Sequence, residues 1–326
     1  TGDELWRLRK LSKDPKSIVV MTRNLYIGTD VDYVMMGSEE EIPIRVAQVI
    51  QGFYSTNIAR RVKAFAKEIV LGKPHLVGLQ EVSIVRILDP ATCEILEEYD
   101  FLDLLETALA ERGLHYRVVG EVENVSIMVP MLVGENPYGA LVQVIDRDVV
   151  LARKGVRILE TITQNYELYI TFMDIPILRG FVAVKTKIGR KMYWFANTHL
   201  EPAHPDVKLY QAMELLAFLQ DKDEPVIIVG DLNAPAPDDP TYQTVIASGY
   251  IDAWNRNRVS PQTLGYTNPH DYDLRNTEIK LNQRIDLILV RKQLEMANPL
   301  NIGPVWAFVL GDELEDMIRN PDDGTL

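Results

Sequence analysis

The sequence predicts a mixed α/β domain, built on a mixed sheet or on two sheets packed together with helices outside. Three observations predict it. Helical periodicities stand both before and between apolar strand-like runs, several consecutive strands are joined by hairpin signals, and no repeat, low-complexity linker or charge block divides the 326 residues. One continuous domain over 18–326 follows, preceded by a charged, aperiodic arm over 1–17 that reads as flexible.

Ile18-Val19-Val20-Met21 is the first strand. Ser38 and Glu41 have the spacing of a capping box and open an amphipathic helix around 41–53. Ile58, Val62, Phe65 and Ile69 recur at steps of four, three and four, so they share one helical face, and Gly72 with Pro74 stops that helix. Leu76–Leu79 is a short buried strand that delivers Gln80 and Glu81. Asp100 caps a helix whose apolar face is Phe101, Leu104, Leu105 and Ala108, closed by Gly113. Strands follow at His115–Gly120, Asp148–Ala152, Tyr166–Phe172, Phe181–Ile188 and Lys191–His199, with Gly189-Arg190 as a two-residue hairpin turn between the last two. A helix over 206–220 precedes the buried strand Pro225–Val229. A helix over 240–248, a polar loop over 255–283 and the strand Ile285–Val290 complete the pattern.

At 47% hydrophobic residues the chain can bury a sizeable core. Lys and Arg total 34 against 47 Asp and Glu, a formal charge of −13, so the surface as a whole does not attract a polyanion. Cys93 is the single cysteine, which excludes an intrachain disulfide and a multi-cysteine zinc site. No apolar run reaches membrane-spanning length, and no signal-peptide core stands at the start. Thr1 in place of an initiator Met fits a chain whose leader has been removed or trimmed, which leaves the compartment open.

The chemistry stands where apolar strands run out into loops. Asn24 follows Ile18–Met21, Glu81 follows Leu76–Leu79, and His199 follows Tyr193–Ala196. Asp231 and Asn233 follow Val226–Val229, and Asp286 opens Ile285–Val290 beside Arg284. Each alone has a bland reading as a turn former, a solvated strand end or a satisfied hydrogen-bonder. Five in the same setting shift the balance toward one shared cleft. Glu81 and Asn24 offer oxygen alone, which suits a hard cation such as Mg²⁺ or Mn²⁺ and not zinc. A histidine, an aspartate and an asparagine beside such an ion supply a proton carrier, a carboxylate that orients water and a neutral donor, a set that fits phosphoester hydrolysis by water. His204 sits between Pro202 and Pro205 and reads as a loop histidine.

These motifs resemble those of the endonuclease/exonuclease/phosphatase superfamily. Thr22-Arg23-Asn24-Leu25 is similar to its first metal-site motif, and Leu79-Gln80-Glu81-Val82 to its acidic motif. Leu151-Ala152-Arg153 is similar to the leucine-serine-arginine end of a central strand, with Ala152 a mild departure. Asn197-Thr198-His199-Leu200, Gly230-Asp231-Leu232-Asn233 and Arg284-Ile285-Asp286 follow in the family's order, across residues 18–290. The resemblance implies a four-layer α-β-β-α sandwich, two mixed sheets packed face to face with helices outside. It implies Glu81, supported by Asn24, as the Mg²⁺ or Mn²⁺ site, and Asp231 as the group that orients and helps deprotonate the attacking water. Asn233 would steady the phosphoryl group, His199 would stabilise the developing charge or protonate the leaving oxygen, and Asp286 would orient an imidazole or complete the metal's outer shell. Arg153 is a substrate-binding candidate.

The superfamily normally closes with a Ser-Asp-His motif, and no histidine follows His270 in this sequence. Either the chain is cut short before that motif or the protein lacks it; the polar tail 312–326 reads as a loop leading onward and favours the first, and this form is expected to be weakly active or inactive. His270 lies in a loop before the Asp286 strand and is not assigned the missing role. A small-molecule or lipid-derived phosphoester is favoured over nucleic acid as the substrate. The alternatives are an endonuclease on DNA or RNA, which would need a positive groove of Arg153, Arg179 and neighbours beside His199, and a catalytically impaired binding module. The apolar segment Val125–Val144 reads either as a hairpin packed on the core or as a greasy cleft wall. No protein partner is implied. The resemblance favours an exported protein, while a single cysteine is compatible with either side of a membrane.

Overall fold

The computed structural model describes residues 17–257, 264–276, 280–292 and 304–310, with a few single positions besides. The arm over 1–17 and the tail over 312–326 therefore lie essentially outside the described residues.

The first sheet holds β1 (Val20–Asn24), β2 (Leu76–Gln80), β3 (Ile84–Leu88), β4 (Ile95–Asp100), β5 (Tyr116–Val133) and β6 (Asn136–Arg153). Its order is β1-β2-β6-β3-β4, with β5 paired along β6. The chain then forms β7 (Arg157–Asn165), a small hairpin of β8 (Ile170–Phe172) and β9 (Ile175–Ile177), and β10 (Gly180–Ile188), β11 (Lys191–His199), β12 (Val226–Asp231), β13 (Ile251–Asp252) and β14 (Asp286–Arg291). The second sheet runs β13-β14-β12-β11-β10-β7. Both sheets are mixed: β1 with β2 and β11 with β12 are parallel, and the other pairs are antiparallel.

The helices are α1 (Asp32–Met35), α2 (Ile42–Thr56), α3 (Ile58–Gly72), α4 (Phe101–Ala110), α5 (Pro205–Leu219) and α6 (Pro240–Ala247). Their starts follow from local chemistry. Asn57 accepts from Arg60 N at 3.2 Å, Asp100 from Leu102 N at 2.9 Å and Asp239 from Thr241 N at 2.7 Å, each satisfying a first-turn amide that has no partner inside its helix. Pro205 and Pro240 occupy first-turn positions where the missing N–H costs nothing.

Three apolar layers divide the interior. Helices α2, α3 and α4 pack Ile50, Phe65, Ile69 and Leu105 against the outer face of the first sheet. Helices α5 and α6 pack Leu215, Leu219 and Val245 against the second. Between the sheets lie Leu76, Val150, Val182, Phe195, Ile227 and Val229. The molecule is thus the four-layer α-β-β-α sandwich.

The observed elements differ from the sequence expectation in specific places. His115–Gly120 and Asp148–Ala152 belong to two strands of 18 residues each, β5 and β6, and the apolar segment between them is their paired middle and tip. Tyr166 lies in the turn after β7, and only Ile170–Phe172 of the expected strand is extended pairing. Strands β3, β4, β7, β9 and β13 have no counterpart in the sequence expectation. β4 and β7 are outer strands whose side chains are mostly exposed, so neither shows the apolar alternation of a half-buried strand.

Two glycines let strands approach as they do. A Cβ on Gly78 would lie 2.5 Å from Asn197 Oδ1 and 2.6 Å from Val229 Cγ2, so this residue sets the spacing of the sheets. Gly230, at φ +148°, would place a Cβ 1.8 Å from the Thr198 carbonyl oxygen in the neighbouring strand. Gly230→Ala should therefore destabilise the fold by roughly 3 kcal/mol or more, read as a lower urea midpoint, because backbone has to move to admit the methyl group.

Candidate active site

Parallel pairing sends the ends of β1 and β2 to one point in the first sheet, and the ends of β11 and β12 to one point in the second. Asn24 lies in register with Gln80, so Asn24 and Glu81 emerge side by side. In the second sheet His199 pairs with Asp231, and Asp231 with Asp286 across the antiparallel β12–β14 pair. Cross-strand partners project to the same face. His199, Asp231 and Asp286 therefore form one row across three adjacent strands.

The two groups meet. One amide nitrogen, Asn24 Nδ2, donates to Glu81 Oε1 at 2.8 Å and to Asp231 Oδ2 at 3.1 Å. Asn24 Oδ1 accepts from Tyr26 N at 2.8 Å, and Glu81 Oε2 accepts from Ile27 N at 2.7 Å. His199 Nε2 stands 3.9 Å from Asp231 Oδ2. Asn233 N donates to Asp231 Oδ1 at 2.9 Å and fixes that carboxylate from the other side. Asn233 Nδ2 donates to the Leu200 carbonyl at 2.9 Å, which leaves its second amide hydrogen for a ligand. Asn24, Glu81, His199, Asp231, Asn233 and Asp286 all line one cleft.

Arg153 is not among them. It lies at the far end of β6, in register with Tyr116 and beside the start of β2, and its guanidinium bonds the Lys73 carbonyl. Because β6 runs antiparallel to β2, the charged residue of β6 that reaches the cleft is Asp146, held by Ser83 Oγ at 2.9 Å and Asn124 Nδ2 at 3.2 Å. A cation beside His199 is Arg179, just before β10. Its Nη1 lies 3.2 Å from His199 Nδ1, and its Nε lies 3.5 Å from Glu201 Oε2. Sequence reasoning named Arg179 as a groove candidate and passed over Asp146 and Glu201. Glu201, two residues after His199 at the same strand exit, carried a signal of the same kind as Glu81. His270 also lines this cleft, on a loop whose Thr267 Oγ1 accepts from Asp286 N at 3.3 Å.

The neighbours of His199 decide its proton state. Burial, and then the Arg179 guanidinium, holds its pKa well below the ordinary histidine value. A guanidinium has no acceptor, so Nδ1 accepts from Arg179 and the ring proton sits on Nε2, toward Asp231. His199 is thus a neutral hydrogen-bond donor into the cleft. The carboxylates move the other way. Burial and then Asp146 push Glu81 up to about 7, and burial and then Asp286 push Asp231 up to about 7. Burial likewise raises Asp286 and Asp146. Among the described residues no three His, Cys, Asp or Glu side chains converge to enclose an ion by themselves.

The fold and cleft define a four-layer sandwich with buried carboxylates and one neutral imidazole where its two sheets meet. The chain belongs to the endonuclease/exonuclease/phosphatase family, whose model matches residues 50–305 and so includes every strand of the cleft except β1. No curated protein matches the sequence significantly. Among solved structures, it is similar to the mannosyl-6-phosphatase Bt3783 of Bacteroides thetaiotaomicron VPI-5482, at 17% identity over 84% of this chain and 85% of that one, TM-score 0.50. A second family protein from Bacteroides thetaiotaomicron matches at 17% identity over 84% and 82%, TM-score 0.50. One from Leptotrichia buccalis C-1013-b matches at 15% over 73% and 83%, TM-score 0.50. At these identities the likeness is one of fold.

The raised carboxylates have a consequence for stability. A carboxyl with a higher pKa folded than unfolded contributes its full stabilisation below the unfolded value, and that contribution is lost as pH rises through the folded value. In EDTA, the melting temperature should fall from about pH 4, where these carboxyls ionise in the unfolded chain, to about pH 7, and level off once Glu81 and Asp231 ionise in the folded protein. Glu81→Gln should flatten that fall and melt roughly 5 °C above the parent at the alkaline end, as read by calorimetry.

Proposed function

We propose that this protein is a divalent-metal-dependent phosphoesterase that uses water to cleave a small-molecule or lipid-derived phosphoester. The observation that carries the reading is the single Asn24 amide hydrogen-bonded to carboxylates of both sheets, with the His199 donor 3.9 Å from one of them. Four buried or part-buried carboxylates share this cleft, and burial raises the proton affinity of each. Such a set suits a small hard cation, which takes one or two carboxylates and keeps several waters. Glu81 would hold it, with Asp231 or Asp286 on the opposite side. Bound there, Mg²⁺ or Mn²⁺ supplies a positive charge against a phosphoryl oxygen.

The protein's own groups divide the remaining work. Asp231, fixed by Asn24 and by Asn233 N, has an ordered carboxylate to orient a water and accept its proton. His199 Nε2–H donates to a phosphoryl oxygen, and its neutrality lets it do so without drawing the proton from Asp231. Glu201 and Arg179 hold that imidazole in one tautomer. The second amide hydrogen of Asn233 is free to steady the phosphoryl group.

The charge of −13 and the acidic side chains Asp30, Asp32, Asp271 and Asp273 around the cleft favour a small ester over nucleic acid. Arg153, which an endonuclease groove would need beside His199, is at the other end of β6. The phosphatase named among the similar folds is in keeping with a small phosphorylated substrate.

With Mg²⁺ or Mn²⁺ the protein should hydrolyse bis-nitrophenyl phosphate or a nitrophenyl phosphate monoester. Asp231→Asn should lower kcat by at least about a hundredfold, while Arg153→Ala should stay within about twofold because that side chain never meets the cleft. Plasmid nicking should be absent at physiological salt. Nicking that equals small-ester turnover would favour the endonuclease reading, and no turnover of any ester would leave a binding module of the same fold.

A further inference from the structure

The cleft does not end at its carboxylates. Residue Val125 of β5 lies in register with Asp146 of β6, and the next same-face pairs along the hairpin are Ile127 with Val144 and Val129 with Val142. An aliphatic ladder thus starts one step from a cleft carboxylate and runs away from it. Val46, Ile50 and Phe53 of α2 face this ladder and line the same cavity. On the open side Phe172 of β8 and Ile177 of β9 complete the wall, anchored by Leu178 N donating to the Asn124 carbonyl at 2.9 Å. Ile127, Val129, Val144, Phe172 and Ile177 remain partly exposed, and at the mouth Val31 and Met35 are 38% and 37% exposed. Val46, Ile50, Phe53 and Val142 are themselves buried, at 3%, 5%, 2% and 2% exposed, and form the floor, so the open part of the trough is its rim of Ile127, Val129, Val144, Phe172 and Ile177.

We infer that this trough is a subsite for an alkyl or acyl chain of the substrate, which lies along the β5–β6 hairpin while its phosphoester sits among Asp146, Arg179, His199 and Asp231. The inference rests on the phosphoesterase reading and narrows its substrate class. Two features select a chain over other groups. The trough is continuous with the phosphoester-binding end, so a chain esterified to the phosphate can extend along it. The ladder and its facing helix side chains are hydrocarbon, with no donor or acceptor for the hydroxyls of a sugar or the edge of a base, and leaving those unpaired would cost more than their contact returns. An aliphatic chain loses no hydrogen bond there and gains burial.

The test is a homologous series of alkyl nitrophenyl phosphate diesters, ethyl to octyl, kept monomeric, with Mg²⁺. Specificity, kcat/KM, should rise by at least about tenfold from ethyl to octyl. Phe172→Ser and Ile127→Thr should each bring that ratio down to within about threefold while the ethyl ester keeps its rate. Binding of ethylphosphonate and octylphosphonate, followed by calorimetry, gives a readout independent of turnover and should show the same chain-length preference. A flat series in an active enzyme, or a steep one that both variants leave intact, overturns the trough. Should neither the diesters nor a nitrophenyl phosphate monoester be hydrolysed, the phosphoesterase reading fails. The trough then stands if phosphonate affinity still climbs with chain length, and falls with that reading if affinity is flat.

Discussion

The site depends on one polar seam between two sheets that otherwise meet through hydrocarbon. Asn24 Nδ2 ties Glu81 of the first sheet to Asp231 of the second. Directly behind it Asn197, fully buried in β11, donates to the Leu79 carbonyl at 2.9 Å and the Val149 carbonyl at 3.1 Å, and its oxygen accepts from Gln80 Nε2 at 2.6 Å. Apolar packing is non-directional and would tolerate small slides of one sheet over the other. Buried amides are not so tolerant, because an unmade bond leaves a desolvated group without a partner. Gly78 belongs to the same seam, since a side chain there would push Asn197 off its partners. The distance from Glu81 to Asp231, on which any shared ligand depends, is thus set by hydrogen bonds rather than by the core.

That seam holds the protein in an unfavourable state at its working end. Glu81 and Asn233 adopt left-handed backbone, at φ +52° and +48°; Asn accepts that conformation readily and Glu does not. Glu81, Asp231, Asp286 and Asp146 crowd together, with Arg179 and Arg23 as the cations that act on them. Strain and like charge of this kind persist only where the surrounding structure over-determines them, here four layers of packed helices and sheets. The stability they cost is the measure of how strongly the cleft is prepared for a positive partner.

Much of this was legible in the sequence, and the rest failed for identifiable reasons. Runs such as Val226–Val229 are apolar on both faces, so they had to be central strands, and the polar residue ending each had to lie at a sheet rim. That logic located Asn24, Glu81, His199, Asp231 and Asp286 without any knowledge of pairing. It could not give strand direction. Leu151-Ala152-Arg153 ends an apolar strand just as the others do, but β6 is antiparallel to β2, so the cleft receives its middle, at Asp146, and Arg153 is carried away. Strands β4 and β7 escaped because solvent-exposed outer strands carry no period. Arg179 acts on His199 from a separate segment, a relation that no local spacing encodes.

The charge balance then constrains what can bind productively. An anionic ester approaching a protein of charge −13 gains nothing from long-range steering, and the carboxylates at the phosphoryl end repel it further until a cation is present. Binding energy must therefore come from contacts that operate at short range and are indifferent to sign. Arg179 is already committed to Glu201 and His199, so it contributes a fixed dipole more than a free charge. Hydrocarbon contact along the β5–β6 hairpin is short-ranged and insensitive to salt. On the proposed reading the two halves of the cleft have separate roles. Remote apolar contact supplies affinity, and the strained, electrostatically costly end is left to act on the bond that reacts.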